Sequence, residues 1–388
     1  MQKSRKGLLD EPALKKLRRI APNMLANMHA ARQGSWQTRT LPEEIAFKLT
    51  NRCDLRCKHC YQWNEGGYHR QLDLHAKGGD LDLNIIGKAL TATHMLKSNV
   101  YLWGGEPLAY QHWDGLVKLL VDDPRWIAIC TNGTLIKKRL NGLLALSSQL
   151  EVSISLDGFE MEHDLLRGTG AFKRTLDGLR LLVREKQKNA YQFEIAINFF
   201  ITDIIIPKMC HFVSWLESEG VDTVYISFPW FLSADANMRM DGFFSRHFGG
   251  AHVFAKPSWY SYNYRLSLSR VDELSYQIQQ LKQLPRTLKL RFNPDLSPDE
   301  LATFISGSDQ PAQSKTRCQA ILTRMDIFPD GQVVSCKFFP EFVMGSLVNN
   351  DLSAVWNSER FNHQRETIAT CGLMPVCAKC NLLYTRGG

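Results

Sequence analysis

Between residue 44 and about residue 228, short β-branched runs alternate with longer amphipathic ones, and this alternation constrains the fold more than any other feature of the chain. The strand candidates are EIAFKLT (44–50), NVYLW (99–103), WIAICT (126–131), EVSISL (151–156), FEIAINFF (193–200) and TVYISF (223–228). Between them, 83–96, 134–147, 171–187 and 207–219 place apolar residues at helical spacing. Repeated βα units predict a parallel sheet flanked by helices. Six strands are too few to close an eight-stranded barrel, so we expect an α/β fold, a partial (β/α)6 TIM-like barrel over 42–230. Function is then expected in the loops that leave the C-terminal ends of the strands.

The remainder divides by composition. Residues 1–41 read as a basic helical extension in which EPALKKLRRI (11–20) forms an amphipathic helix. Residues 231–312 are irregular and rich in aromatics (SWYSYNYRL, 258–266), and read as a connector that walls a substrate cavity. From 313 to 388 the chain is cysteine-rich and opens with RMDIFPDGQVVSC (324–336), two strands joined by a Pro-Asp-Gly turn and expected to form a small separate β-hairpin/α module.

With 44% hydrophobic and 22% charged residues the chain is globular. No apolar run approaches the ~18 residues of a membrane span, and the N-terminus shows no signal core. The charge of +8 is dispersed and comes without a nucleic-acid recognition motif, so neither a membrane span nor nucleic acid is expected. Ten cysteines in such a chain argue for metal or redox chemistry in a cytoplasmic protein. Cys130 and Cys210 stand alone in apolar surroundings and read as small buried hydrophobes.

Cys53, Cys57 and Cys60, at i, i+4 and i+7, bring three soft thiolates to one side of any coiled loop, as zinc or an iron–sulfur centre requires. A closed zinc site needs a fourth ligand, and His59, adjacent to Cys60, is poorly placed for it. A cube held by three thiolates leaves one iron open. CxxxCxxC after a first strand, with an aromatic before its last cysteine, resembles the signature of the radical S-adenosylmethionine (SAM) superfamily. WGGEPL (103–108), CTNGTLI (130–136) and SLDGFEMEHDLLRGTGAF (155–172) resemble the same family. The resemblance implies a 4Fe-4S cluster whose open iron binds SAM, and reductive cleavage of SAM to methionine and a 5'-deoxyadenosyl radical. It further implies that Gly104, Gly105 and Glu106 hold the SAM ammonium, Ser155 and Asp157 its ribose, and Arg167 its carboxylate, with Asn198 completing the pocket. Read from the residues alone, Arg167 equally suits a helix cap or a pair with Asp164.

Cys318, Cys336 and the run CGLMPVCAKC (371–380), with GSLVNNDLSAVWNSERF (345–361) between, resemble the SPASM and twitch auxiliary modules of that superfamily. Five cysteines fall short of the two sets of four that two cubes need. The resemblance implies one auxiliary 4Fe-4S cluster on Cys318, Cys336, Cys377 and Cys380, leaving Cys371 unassigned; a zinc ribbon is the plain alternative. A fully ligated cluster suits electron acceptance, hence a two-electron oxidation with a general base, for which Asp326 is the candidate against a surface-facing role. The expected function is a radical SAM oxidoreductase that cross-links or dehydrogenates a ribosomal peptide and draws electrons from an external donor such as flavodoxin or ferredoxin. The alternatives are a dehydrogenase or epimerase of a sugar or aminocyclitol metabolite, and a zinc-stabilised binding protein.

Overall fold

The computed structural model describes residues 39–249 and 254–386; the basic segment 11–20 lies outside them. Ten strands form one sheet: β1 Glu44–Lys48, β2 Asn99–Trp103, β3 Ile127–Thr131, β4 Leu150–Ser155, β5 Glu194–Phe200, β6 Thr223–Ser227, β7 Lys289–Asn293, β8 Arg324–Ile327, β9 Gln332–Val334 and β10 Val343–Ser346. Their order is β10-β9-β8-β1-β2-β3-β4-β5-β6-β7. Pairing is parallel from β8 to β7 and antiparallel only at β9 and β10. The sheet curls as an open barrel, as the α/β alternation predicts. The helix Asn381–Arg386 packs on β7 and on the turn Ala320–Thr323 ahead of β8, and so spans the gap between the two ends of the parallel run.

Two expectations are corrected. The connector is not irregular: it holds the helices Ala234–His247, Val271–Gln283 and Pro298–Ser306 and supplies β7, so the wall has more than six parallel strands. Ser297 and Glu300 form a capping box ahead of Pro298, which fixes where the last of these helices starts. The C-terminal hairpin is not a separate unit either, because β8 pairs with β1 from Glu44↔Arg324 to Phe47↔Ile327.

Period-two alternation divides the sheet into two faces. Ile45, Phe47, Val100, Leu102, Ile127, Ile129, Val152, Ile154, Ile195 and Ile197 point outward into one continuous core under the helices. On the opposite face stand Tyr101, Cys130, Ser155, Asn198 and Tyr225, and each of these keeps accessible surface deep inside the barrel. The lumen is therefore a polar cavity. Cys130, expected to be an apolar filler, belongs to it: its sulfur lies 3.5 Å from Asn198 Nδ2. Cys210 is half-buried on the helix Met209–Ser218 and donates to the Gln277 carbonyl at 3.7 Å.

Candidate functional site

The loop carrying CDLRCKHC leaves the C-terminal end of β1 and is clamped by the end of β2. Gly105 N–H donates to the Thr50 carbonyl (2.8 Å), and Glu106 N–H to the Arg52 carbonyl (2.7 Å). A Cβ on Gly104 would lie 2.6 Å from the Thr50 oxygen and one on Gly105 2.2 Å from the Arg52 oxygen, so only glycine permits this approach. The Glu106 carboxylate is fully buried and accepts from Leu108 N (2.9 Å), Thr131 Oγ1 (2.6 Å) and Asn132 N (2.7 Å). Burial raises its pKa to about 7 against these hydrogen bonds. It thus braces the β3 loop against the β2 loop. Asn132 extends the brace, donating to Asp54 Oδ1 within the cysteine loop (2.8 Å).

The three thiols gather around Leu55 and Ala171. Burial pushes Cys57 up to about 12 and raises Cys53 and Cys60, and the nearby thiols oppose ionisation further. Polar contacts reach the sulfurs: Leu55 N–H to Cys53 (3.4 Å), Asn132 Nδ2 to Cys53 (3.9 Å), Arg167 Nη1 to Cys57 (3.9 Å), and the backbone N–H groups of Gln62 and Trp63 to Cys60.

Arg167 ends the helix Glu160–Arg167 and pairs with the fully buried Asp157, not with Asp164, which instead accepts from Gly170 N and Phe172 N at the next helix start. Burial alone would raise the Asp157 carboxyl; Arg167 outweighs it and holds the group below the ordinary carboxylate value. Phe200 N–H satisfies its other oxygen (3.0 Å). Ser155 and Asn198 stand in register across β4 and β5 and face the lumen. His59, adjacent to Cys60, stacks on Phe200 at 4.2 Å; burial lowers its pKa to about 3, and its Nδ1 has no hydrogen-bond partner.

The second cysteine set assembles below the lumen, since Cys318 precedes β8 and Cys336 follows β9, which runs back toward the N-terminal end of β1. Cys318, Cys336, Cys377 and Cys380 lie close enough that the charge of each would oppose the others, and burial raises Cys336, Cys377 and Cys380. Cys371 closes the helix Glu359–Cys371 on the surface, outside this group. Asp326 is neither surface-facing nor available as a base: buried on β8, it accepts from Arg324 Nε and Nη2 (both 2.8 Å), and the same guanidinium pairs with Glu44 on β1.

Rings connect the two sets. Tyr61, next to Cys60, stacks on Tyr262 at 4.9 Å and meets Phe338, two residues after Cys336, at 6.1 Å. Tyr262 donates its hydroxyl to the Phe338 carbonyl (3.0 Å). The aromatic connector is thus a staple: Ser258 holds Glu341 of the C-terminal segment, and Ser261 holds Gly66 beyond the cysteine loop. Sequence reasoning missed Lys48, Tyr61, Tyr262 and Lys337 in this cavity. A polar residue on the face of β1 opposite Ile45, Phe47 and Leu49 was the available signal for Lys48.

This arrangement, an open parallel barrel with three thiols at its mouth and four at its base, defines an iron–sulfur radical enzyme fold. The chain belongs to the radical SAM superfamily, whose model matches residues 47–209, and an iron–sulfur cluster-binding domain, SPASM, matches 318–381. Among curated relatives, Pre-heme d1 synthase of Dinoroseobacter shibae is 29% identical over 185 residues, covering 47% of this chain and 42% of that protein. The chain therefore spans less than half of that relative. Mycofactocin maturase MftC of Mycolicibacterium smegmatis is 24% identical over 345 residues, 86% of this chain and 76% of that protein. In fold, the chain is similar to Streptococcus suis SuiB bound to its precursor peptide SuiA, with TM-score 0.57, 15% identity and coverage of 99% and 78%.

The donor chemistry fits the cofactors of this family. The thiols are soft donors, and burial raises the pKa of Cys57 and Cys377 so that cluster loading there would displace protons. No three Cys, His, Asp or Glu side chains among the described residues converge tightly enough for a single ion. A cube takes each thiolate on a different iron and asks for wider spacing. Among the described residues, no helix is long and apolar enough to cross a membrane.

Proposed function

We propose that this chain oxidatively modifies a side chain of a ribosomally made peptide by cross-linking or dehydrogenation. The observation that carries the reading is the placement of a three-thiol and a four-thiol group at opposite ends of one polar lumen. When bound, the first cluster with SAM supplies a 5'-deoxyadenosyl radical, and the second supplies an electron acceptor. Cys53, Cys57 and Cys60 would hold the first cluster, and Cys318, Cys336, Cys377 and Cys380 the second. Gly104 and Gly105 would let the end of β2 lie close beside SAM held at the three-thiol loop. Ser155, Asn198 and His59 line the nucleoside side of the cavity, and Asp157 fixes Arg167 toward Cys57. Asp326 is assigned to the ion pair with Arg324 and not to proton transfer. A peptide substrate is supported by the likeness to mycofactocin maturase MftC along 86% of the chain, and by the polar lumen.

The electron enters from outside. A cavity of about 410 Å³ opens beside Cys53, lined by Arg52, Arg56, Arg70 and Lys77 around Trp63, with no carboxylate in its lining. It suits an acidic one-electron carrier of the flavodoxin or ferredoxin kind. Thiol chemistry of this kind belongs in the reducing cytoplasm.

Anaerobically reconstituted protein is expected to hold about eight iron and eight sulfide per chain. With SAM and a reductant it should release 5'-deoxyadenosine. Replacing Cys53, Cys57 and Cys60 together by Ala should stop that release and leave about four iron. Stoichiometric zinc without sulfide, or deoxyadenosine from the triple variant, would defeat the assignment. Loss of two hydrogens from a short peptide encoded beside this gene, read by mass spectrometry, tests the substrate class.

A further inference from the structure

The wall of the lumen formed by β1, β2, β8 and β9 carries an unbalanced charge. Arg324 is neutralised by Glu44 and Asp326. Lys48 and Lys337 are not so matched. Lys48 Nζ hydrogen-bonds Tyr68 Oη at 3.1 Å and His69 Nε2 at 2.8 Å and, among the described residues, forms no ion pair, Asp330 acting on it only from a distance. Lys337 has ring faces as its neighbours: Tyr101 at 4.7 Å, Phe338 at 4.8 Å and Trp103 at 5.4 Å. Among the described residues no carboxylate makes an ion pair with it; the nearest acids, Asp326 and Glu44, are already committed to Arg324.

The direction of Lys337 matters. Cys336 beside it faces Cys318 and Cys380, whereas the Lys337 ammonium lies over the rings of β2 and within the cavity, where its charge acts on Cys130 as well as on Cys380. It keeps accessible surface there, as do Tyr101 and Cys130. Trp103, which lies 5.6 Å from Lys48 Nζ and 5.4 Å from Lys337 Nζ, has an indole N–H with no acceptor. A desolvated ammonium flanked by aromatic faces, with an unused N–H donor next to it, is a receptor for an anion that is planar, small and partly apolar.

We infer that the lumen beside Tyr101 and Trp103 receives a carboxylate with Lys337 as its counter-ion, so that the substrate carries an Asp or Glu side chain at or beside the position that is modified. This rests on the reading of the chain as a peptide-modifying enzyme and names the chemistry of its substrate. The ion pair would be drawn out of water between aromatic rings, where an uncompensated charge is costly and a matched one selective. Lys48, whose Nζ lies 5.6 Å from the same Trp103 ring, adds to the positive potential.

The test uses the holoenzyme under anaerobic conditions, with N-acetyl-glutamate methylamide and its neutral glutamine counterpart as probes in calorimetric titration. Wild-type protein should prefer the glutamate probe by about tenfold or more. Lys337→Met should erase that preference, and Lys337→Arg, which keeps the charge, should retain most of it. Equal binding of the two probes to wild type, or a preference that survives in Lys337→Met, overturns the inference. A tenfold loss of SAM affinity in Lys337→Met, with the probe preference intact, assigns the carboxylate subsite to SAM instead. A shift in the auxiliary cluster potential with the preference intact makes Lys337 a counter-charge to that cluster. Absence of deoxyadenosine release by the wild type refutes the parent reading, and is measured separately.

Discussion

Arg324→Met is expected to destabilise the protein strongly, because one guanidinium serves two carboxylates at the seam between β1 and β8. The Arg324 side chain is 4% exposed, that of Asp326 2% and that of Glu44 12%. Removing one partner of a buried pair costs about 3–5 kcal/mol, since the charge left behind has lost both water and counter-ion. Glu44 lies near the surface and recovers part of its hydration, so most of the loss comes from Asp326. The prediction is about 3–5 kcal/mol for the single variant and less than half of that for Arg324→Met with Asp326→Leu, which leaves no buried carboxylate on β8. Urea denaturation of the holoprotein, followed by circular dichroism with an unchanged slope, measures both. A single variant that loses under about 1 kcal/mol, or a double variant less stable than the single, would falsify the assignment of Asp326 as a structural counter-ion.

Three further outcomes follow from the same geometry. Cys371→Ser should keep the iron content near eight atoms per chain, whereas Cys377→Ala should lower it toward about four; equal losses would show that spacing misassigns the ligands. Burial lowers the pKa of Lys48 to about 7, so between pH 7 and the ordinary lysine value the unfolded chain binds the extra proton and stability should rise with pH. Lys48→Met should flatten that rise in denaturation midpoints collected from pH 7 to 10, and an unchanged slope counts against the burial argument. Arg56→Glu with Arg70→Glu should slow the flavodoxin-driven reaction more than the dithionite-driven one, most clearly at low salt; parallel slowing places the donor elsewhere.

Much of the architecture is legible in the residues because outward-facing apolar side chains repeat with period two. Each of the six strand candidates coincides with an observed strand within a few residues. β7 escaped notice because KLRFN carries two cations and lies at an exposed end of the sheet, where no second apolar face is required. The pairing of β8 with β1 joins segments 280 residues apart, and nothing local encodes it. The cysteine groups were legible as chemistry, since thiol spacing is a local property. Which acid meets which arginine was not: Asp164 is the sequence neighbour on the same helix, yet the loop after β4 folds Asp157 onto Arg167. The structural bonds of Glu106 were not legible either: its three donors come from its own turn and from the end of β3.

The direct pairing of β8 with β1 also makes the strand a ruler. The three-thiol loop leaves β1 after Lys48, while the four-thiol group gathers beyond the end marked by the Glu44↔Arg324 pair. At ~3.3 Å per residue the four steps from Glu44 to Lys48 make β1 about 13 Å long. Electron transfer falls off steeply with distance, and a change of one residue in this register would also turn every side chain of β8 to the opposite face. With clusters at both thiol groups, as proposed, the length of one short strand would bear on both how far an electron travels and how large a substrate group fits in its path.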